Sequence, residues 1–276
     1  MVTITSARIR TEIGRQNAMS DAIGRAQLDV SSKTRLQAAS DDPLASARVA
    51  NIRRTRSDEA TWSANVTGAS AIADRADNAL DAVQLSVDRA KELMLRAGNA
   101  TTSAADRTAI AAELAGIRED VAVQMRSTDT DGNPLFPEKP PLAVPVGKGL
   151  TLAASTSRAD AFGDIDAVLG SAIEALSVTD AAARSTAITD SLAAIDGTAS
   201  RLANARGAQG VRMQRLEAAG ERFAESAARL GDEDAALSGT NMPETLAFIQ
   251  QTLTQLSASQ TAFARVSQQT LFDLLG

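Results

Sequence analysis

From Trp62 onward, apolar or small residues return at alternating gaps of four and three: Trp62, Val66, Ala69, Ala73, Ala76, Leu80, Val83, Val87, Ala90 and Met94. A mean gap of about 3.5 residues is the seam of a coiled coil. The rhythm comes back far downstream, through Ile188, Leu192, Ile195, Ala199, Leu202, Arg206, Gln209, Met213, Leu216, Gly220, Phe223, Ala227 and Leu230. Two long helices are therefore predicted, each needing a partner along its whole length. At a rise of 1.5 Å per residue each spans roughly 50 to 65 Å, well beyond the three or four turns of an ordinary globular helix.

Shorter elements surround the two seams. A first helix is predicted from near Ser6, with Ile9, Ile13, Met19, Ile23, Ala26 and Val30 on one side, stopping ahead of Ser40-Asp41-Asp42-Pro43. There Asp42 is placed to cap the next helix and Pro43 occupies its first turn, where no amide is lost. The alternative, that the paired aspartates are acid/base carboxylates, would need a pocket and a partner. The first seam helix is expected to end at Gly98-Asn99 in a left-handed cap. Ser103 and Asp106 then form a capping box, and Ile110, Leu114, Ile117, Val121 and Met125 keep the four-three spacing, so this helix folds back as a hairpin partner.

Between Asp129 and Phe162 the pattern breaks. Asp131-Gly132-Asn133-Pro134 is a turn signal, and Pro137, Pro140, Pro141 and Pro145 forbid a continuing helix. Residues 142 to 152 read as a short hairpin or an extended loop centred on Gly147-Lys148-Gly149, which lacks the further Gly and the Lys-Ser/Thr pair of a phosphate-binding loop. Helical signals resume at Asp164, a predicted cap, with Ile165, Leu169, Ile173 and Leu176 on one face, and Thr179-Asp180 opens the second seam. Gly231 is expected to close that helix, with a loop over 232 to 242. Pro243 then starts a terminal helix with Leu246, Ile249, Leu253, Leu256, Phe263 and Leu274 on a common stripe.

The resulting fold class is mainly α: an elongated antiparallel coiled-coil or helical bundle, its N- and C-terminal helices paired, with a small irregular or β insert at the midpoint. The expected division is a terminal helical domain (1–39 with 240–276), a long helical bundle (40–128 with 164–239) and a Pro/Gly-rich insert (129–163). Both chain ends are expected at one end of the bundle and the insert at the other. The terminal pair offers only about ten Leu or Ile residues at roughly 1.5 to 3 kcal/mol each against ~1 to 2 kcal/mol of ordering cost per residue. It is thus expected to be marginal alone and to fold among identical neighbours.

Composition narrows the function. The chain is 44% hydrophobic but only 3% aromatic, so its seams are filled by small side chains. It has no His, Cys or Tyr, which removes the commonest general base, the usual transition-metal ligands and the thiol nucleophile together. No catalytic residue, metal ligand or cofactor is expected. The net charge of -6 argues against nucleic acid as a partner, and no stretch approaches the roughly 18 apolar residues of a membrane span. Residues 1 to 10 build no signal-peptide core, so export is expected to use a route that reads an uncleaved terminus.

Several segments resemble one family. Val30-Ser31-Ser32-Lys33-Thr34-Arg35-Leu36 followed by Ser40-Asp41-Asp42-Pro43 resembles the N-terminal signature of bacterial flagellin and its relatives, an Ile-Ser-Ser-Gly-Lys-Arg run ahead of an acidic pair. Lys33 stands where that run has Gly, and Gln37 replaces the usual Asn. The segment from Arg89 to Asn99 resembles the family's RARELALQAAN stretch, and Asp131-Gly132 through Leu135-Phe136 resembles its DG..LF turn. Asp41-Asp42-Pro43 and the run Leu271-Phe272-Asp273-Leu274-Leu275 are similar to the hook-filament junction branch of the family.

The resemblance implies an extracellular axial protein, exported unprocessed through the flagellar type III apparatus. It implies self-association into a ring between hook and filament, in contact with another hook-associated protein and with flagellin. The assembly residues it points to are Ile9, Ile13, Ile23 and Val30 facing Leu246, Ile249, Leu253, Leu256 and Phe263; ordinary intramolecular core is the competing reading of each. Leu271, Phe272 and Leu275 are candidates for an export chaperone, since a short amphipathic helix can lie in a groove. Two other functions fit the pattern: a short flagellin that builds the filament itself, and a soluble coiled-coil signalling or adaptor protein. An enzyme would need a pocket lined by several of Arg118, Glu119, Asp120 and Arg126.

Overall fold

The computed structural model describes residues 2–139 and 143–275, with side chains at 7, 9–139 and 143–265. The chain forms two compact units, Ser57–Ser226 and Met1–Arg56 with Ala227–Gly276. In the first, the seams close on each other. Helix α2 (Pro43–Ala97) buries every seam position from Val66 to Met94, and α6 (Ala181–Ser238) buries Ile188, Ile195, Leu202, Gln209 and Leu216 against it. Alanine at 69, 73, 76 and 90 leaves room for the close approach that the pairing needs. Lys91–Asp196 at 2.6 Å and Arg206–Asp81 at 2.9 Å fix the antiparallel register from the rim. Such exposed pairs add little stability, so the burial carries the energy. Trp62 tilts against Phe223 with ring centroids 6.2 Å apart, closing the seam at the other end of this unit.

Two more helices complete the bundle. Helix α3 (Ala104–Met125) folds back along α2 with Ile110, Leu114, Ile117 and Val121 buried, and its first turn carries the expected Ser103/Asp106 capping box. Helix α5 (Ile165–Ser177) packs on α3, where both guanidinium arms of Arg118 donate to Asp166 at 2.6 Å. Glu119, Asp120 and Arg126 are exposed, so no pocket gathers around this set. Asp164 precedes α5 but makes no side-chain cap; it pairs instead with Arg201 at 3.1 Å. Arg201 lies over Gly163, where a Cβ would meet its guanidinium at 1.4 Å, so that glycine, at φ 55°, is needed on two counts.

Several predicted boundaries shift for identifiable reasons. Gly98 is not left-handed: its amide still bonds Met94 O at 3.0 Å, and Thr102 Oγ1 closes the end of α2 by donating to Arg96 O. Its smallness matters for packing, because a Cβ there would sit 3.4 Å from Ile188 Cγ2. Gly231 does not end α6, which runs on to Ser238. Leu230 is buried, and Arg48 holds Glu233 with two hydrogen bonds of 2.6 and 2.9 Å, so this turn has tertiary support that outweighs one glycine. The helix stops at Gly239, where a Cβ would stand 2.4 Å from Ala235 O.

The insert contains an antiparallel hairpin, β1 (Ala143–Gly147) and β2 (Leu150–Ala153), turning at Gly149 with φ 71°. It does not cap the turn between α2 and α3. It lies along the side of α2 and α6, where Val146 and Ala154 pack with Val66, Ala69, Leu216 and Ala219. Two amides pin it there. Asn65 Nδ2 donates to Pro145 O at 2.9 Å, and the fully buried Gln209 Nε2 donates to Ala154 O at 2.7 Å and Ala73 O at 3.2 Å. A glutamine in an apolar seam is thereby explained. The ends of the insert are core: Phe136 and the Phe162 of α4 (Arg158–Phe162) meet edge to face at 4.8 Å and are fully buried.

In the second unit, α1 (Val2–Ser32) pairs with α7 (Met242–Leu275). The connections beside them are tied together by Arg35 N donating to Ser238 O at 2.8 Å and Thr240 N to Lys33 O at 3.2 Å. Lys33 itself has φ 58°, the left-handed conformation in which glycine carries no Cβ penalty. The flagellin-like signature's glycine at this position thus has a backbone reason. Of the two aspartates that follow, Asp41 closes the connecting turn by accepting from Gln37 N and Ala38 N, and Asp42 caps α2 by accepting from Ala45 N at 2.9 Å. The bond from Ala45, with a smaller contribution from Arg35, holds the Asp42 carboxyl below its ordinary range. No described helix is long and apolar enough to cross a membrane.

Replacing Lys33 by Gly should raise stability by about 0.5 to 1 kcal/mol in urea melts, the gain from relieving a left-handed side chain outweighing the added freedom of the unfolded chain. Asp42, Asp106 and Asp166 all titrate below the ordinary range, so they stabilise the fold above that range and cease to as pH falls through their folded values. The urea midpoint should therefore drop from neutral pH to about pH 3.

Candidate assembly surface

The α1–α7 pair divides the predicted interface residues into two groups. Ile23 and Ala26 on α1 close on Ile249 of α7, with Val30 and Leu256 packed against them. These positions follow three-four spacing on both helices, so one narrow stripe from each suffices to make the contact. Thr252, between Ile249 and Leu256, is buried too and satisfies its hydroxyl on Phe248 O at 2.8 Å. Farther along, the contact turns polar. Ser259 Oγ donates to Glu12, and Gln16 Nε2 reaches Ser259 Oγ at 3.5 Å.

The second group is uncovered. Ile9, Ile13, Leu246 and Leu253 are exposed, at 38, 46, 46 and 47%, and Phe263 is half-buried. Leu28 and Phe248, 59 and 47% exposed, join them. Sequence reasoning passed over both because they lie off the stripes that pair within the chain. Their signal was present in a simpler form: a large apolar residue at a helical position that no intramolecular stripe uses. Phe248 stands beside an open groove lined also by Ala22, Arg25, Asp29 and Glu244. The side chains of Leu271, Phe272 and Leu275 lie outside the described residues.

Among the described residues no group of three or more His, Cys, Asp or Glu side chains is placed to hold a metal ion. What the surface offers is apolar area in water. A closed three-residue core leaves several comparable side chains open on the same pair of helices.

Comparisons with known proteins agree in their direction. The sequence family described as the bacterial flagellin N-terminal helical region matches residues 4–139. Flagellar hook-associated protein 3 of Salmonella typhimurium is 29% identical over 97 residues, which are 35% of this chain and 31% of that protein. The aligned stretch thus spans about a third of the relative's length. Among solved structures, a Vibrio parahaemolyticus protein described as flagellar hook-associated superposes with a TM-score of 0.66 at 19% identity, covering 72% of this chain and all of that one. FlgL of Xanthomonas campestris gives 0.61 at 14%, covering 67% and 99%, and the flagellar junction protein FlgL of Legionella pneumophila 0.58 at 13%, covering 70% and 100%. At these identities the structures establish likeness of fold.

The closed and open groups should respond differently to substitution. Ile23→Ala or Ile249→Ala should cost about 2 to 4 kcal/mol of the terminal unit's stability, whereas Ile9→Ser and Leu253→Ser should leave the monomer's melt unchanged within ~0.5 kcal/mol. Hydrogen exchange supplies the independent check: amides of residues 9–32 should exchange far faster than those of 66–94. Equal protection would show that the terminal pair is stable by itself.

The matched region joins the signature around Lys33, the DG..LF turn and the helical fold in one conclusion: residues 4–139 of this chain carry the bacterial flagellin N-terminal helical region.

Proposed function

We propose that this chain is a structural subunit of the bacterial flagellum that builds the junction between hook and filament. One observation carries the reading: the terminal helices pair through a three-residue core and leave Ile9, Ile13, Leu246 and Leu253 in water. Packing of α1 and α7 among the same helices of other copies buries those residues. At roughly 1.5 to 3 kcal/mol for each large side chain, the gain is comparable with the whole stability of a small domain. Repetition around an axis closes such head-to-side contacts into a ring. Another hook-associated protein and flagellin are the axial neighbours of such a ring.

The same weakness suits export. A chain without disulfides, whose terminal pair is held by few contacts, has little to unfold before passing the flagellar type III apparatus and refolding outside the cell. Leu271, Phe272 and Leu275 are the segment proposed for an export chaperone, released when α7 enters the ring. The support for the junction over a filament role is the Asp41-Asp42-Pro43 sequence and the Leu271-Phe272-Asp273 run.

Immunogold labelling of isolated flagella should mark one point where hook meets filament; labelling along the whole filament would make the chain a flagellin, and its absence from sheared flagella would remove it from the organelle. Leu246→Ser with Leu253→Ser should abolish motility while the purified monomer keeps its helical content. Deleting residues 271–276 should reduce the secreted amount without changing the cellular amount.

A further inference from the structure

At the turn where α2 gives way to α3, beside the start of α6, a cleft of about 510 Å³ opens that the assembly surface does not use. Its apolar lining comes from Leu95, Ile188 and Leu192, and Thr189 and the Gly98–Ala100 turn form part of its wall. Two arginines, Arg107 and Arg184, also line it, and no Asp or Glu does. That absence stands out in a chain where Asp and Glu number 34 against 28 Lys and Arg.

Four arginines on the bundle's flanks are matched differently. Arg89, Arg118, Arg201 and Arg206 each bind a carboxylate across a helix boundary. Among the described residues, Arg107 and Arg184 have no carboxylate partner. Each is steadied by main-chain oxygens: Arg107 Nη1 donates to Thr102 O at 2.8 Å, and Arg184 Nη1 to Val178 O at 2.9 Å and Thr179 O at 3.1 Å. A guanidinium has five N–H donors, so these bonds orient both groups and leave most of their donors and all of their charge unmatched. Leu95, 57% exposed, adds apolar area at the rim.

We infer that this cleft is a docking site for a protein segment that presents a bulky apolar side chain next to a carboxylate. Its volume suits two or three side chains, within the range of sites that bind by shape and a few fixed polar groups. The apolar lining takes the hydrophobic side chain, and Arg107 and Arg184 take the carboxylate through charge-assisted hydrogen bonds. The charge complementarity selects an acidic segment over a basic one. The apolar lining selects a peptide over a small inorganic anion.

The test uses the full-length protein and amide chemical shifts of residues 95–107 and 181–192. Acetyl-Phe-Asp-Leu-amide should bind saturably there, and its Asn analogue about tenfold more weakly, the loss expected for removing a charge-assisted contact. Arg107→Gln with Arg184→Gln should match the Asn analogue in effect. Because those arginines also support the local turns, Thr189→Trp, which fills the cleft without touching them, should independently abolish binding. Equal binding of the Asp and Asn peptides, shifts elsewhere or nowhere, or saturation of the same amides by inorganic phosphate alone would overturn the inference.

Discussion

Helix α2 can run for 55 residues only because α6 covers its apolar seam. An isolated helix in water gains little from each added turn, and alanine, the best helix former, brings little burial of its own. The pairing supplies what propensity cannot. Small residues at 69, 73, 76 and 90 let the two backbones approach, and each Leu, Val or Met between them is fully enclosed as a result. Everything else in that unit is arranged around this contact. Helices α3 and α5 cover its remaining apolar flank, and the hairpin seals the side where Gln209 stands.

Polar groups in this architecture set position more than stability. The ion pairs Lys91–Asp196 and Arg206–Asp81 lie on the rim, where water screens them, and they select the antiparallel register. Gln209 does the same inside, at the cost of desolvating an amide, by bonding to main-chain oxygens of both α2 and the segment after β2. Removing its side chain would leave the buried Ala154 carbonyl short of a donor, which is why an apolar substitute of the same size would not be equivalent. The α1–α2 connection is tied in a comparable way by Asp41, Asp42 and Gln37, each satisfying neighbouring main-chain or side-chain groups.

A contrast between the two units links structure to function. One has a continuous core extending from the α2 seam into Phe136 and Phe162; in the other, the pair of terminal helices closes on a cluster of only three buried residues. The bundle unit holds itself together through its own core, whereas the terminal pair has few buried contacts of its own to draw on.

The helices and their seams were legible in the amino-acid order because a four-three repeat has only one economical structure, and the caps at Asp42 and Ser103 were legible because short polar side chains satisfy a helix's first amides locally. The order of the elements gave the pairing of the ends, and the flagellin-like motifs added the family resemblance. What the order of residues left open depended on distant partners. Gly231 reads as a stop until Arg48 is found holding the following turn; Asp164 reads as a cap until Arg201 claims it; Lys33 reads as an ordinary lysine until its φ is known. The insert looked peripheral because its prolines deny it regular structure, yet Phe136, Phe162 and Gln209 anchor it in the bundle. Which of the terminal stripe's residues are buried inside the chain and which stay exposed was likewise decided by packing, since one face of a helix can meet only as many partners as the geometry brings to it.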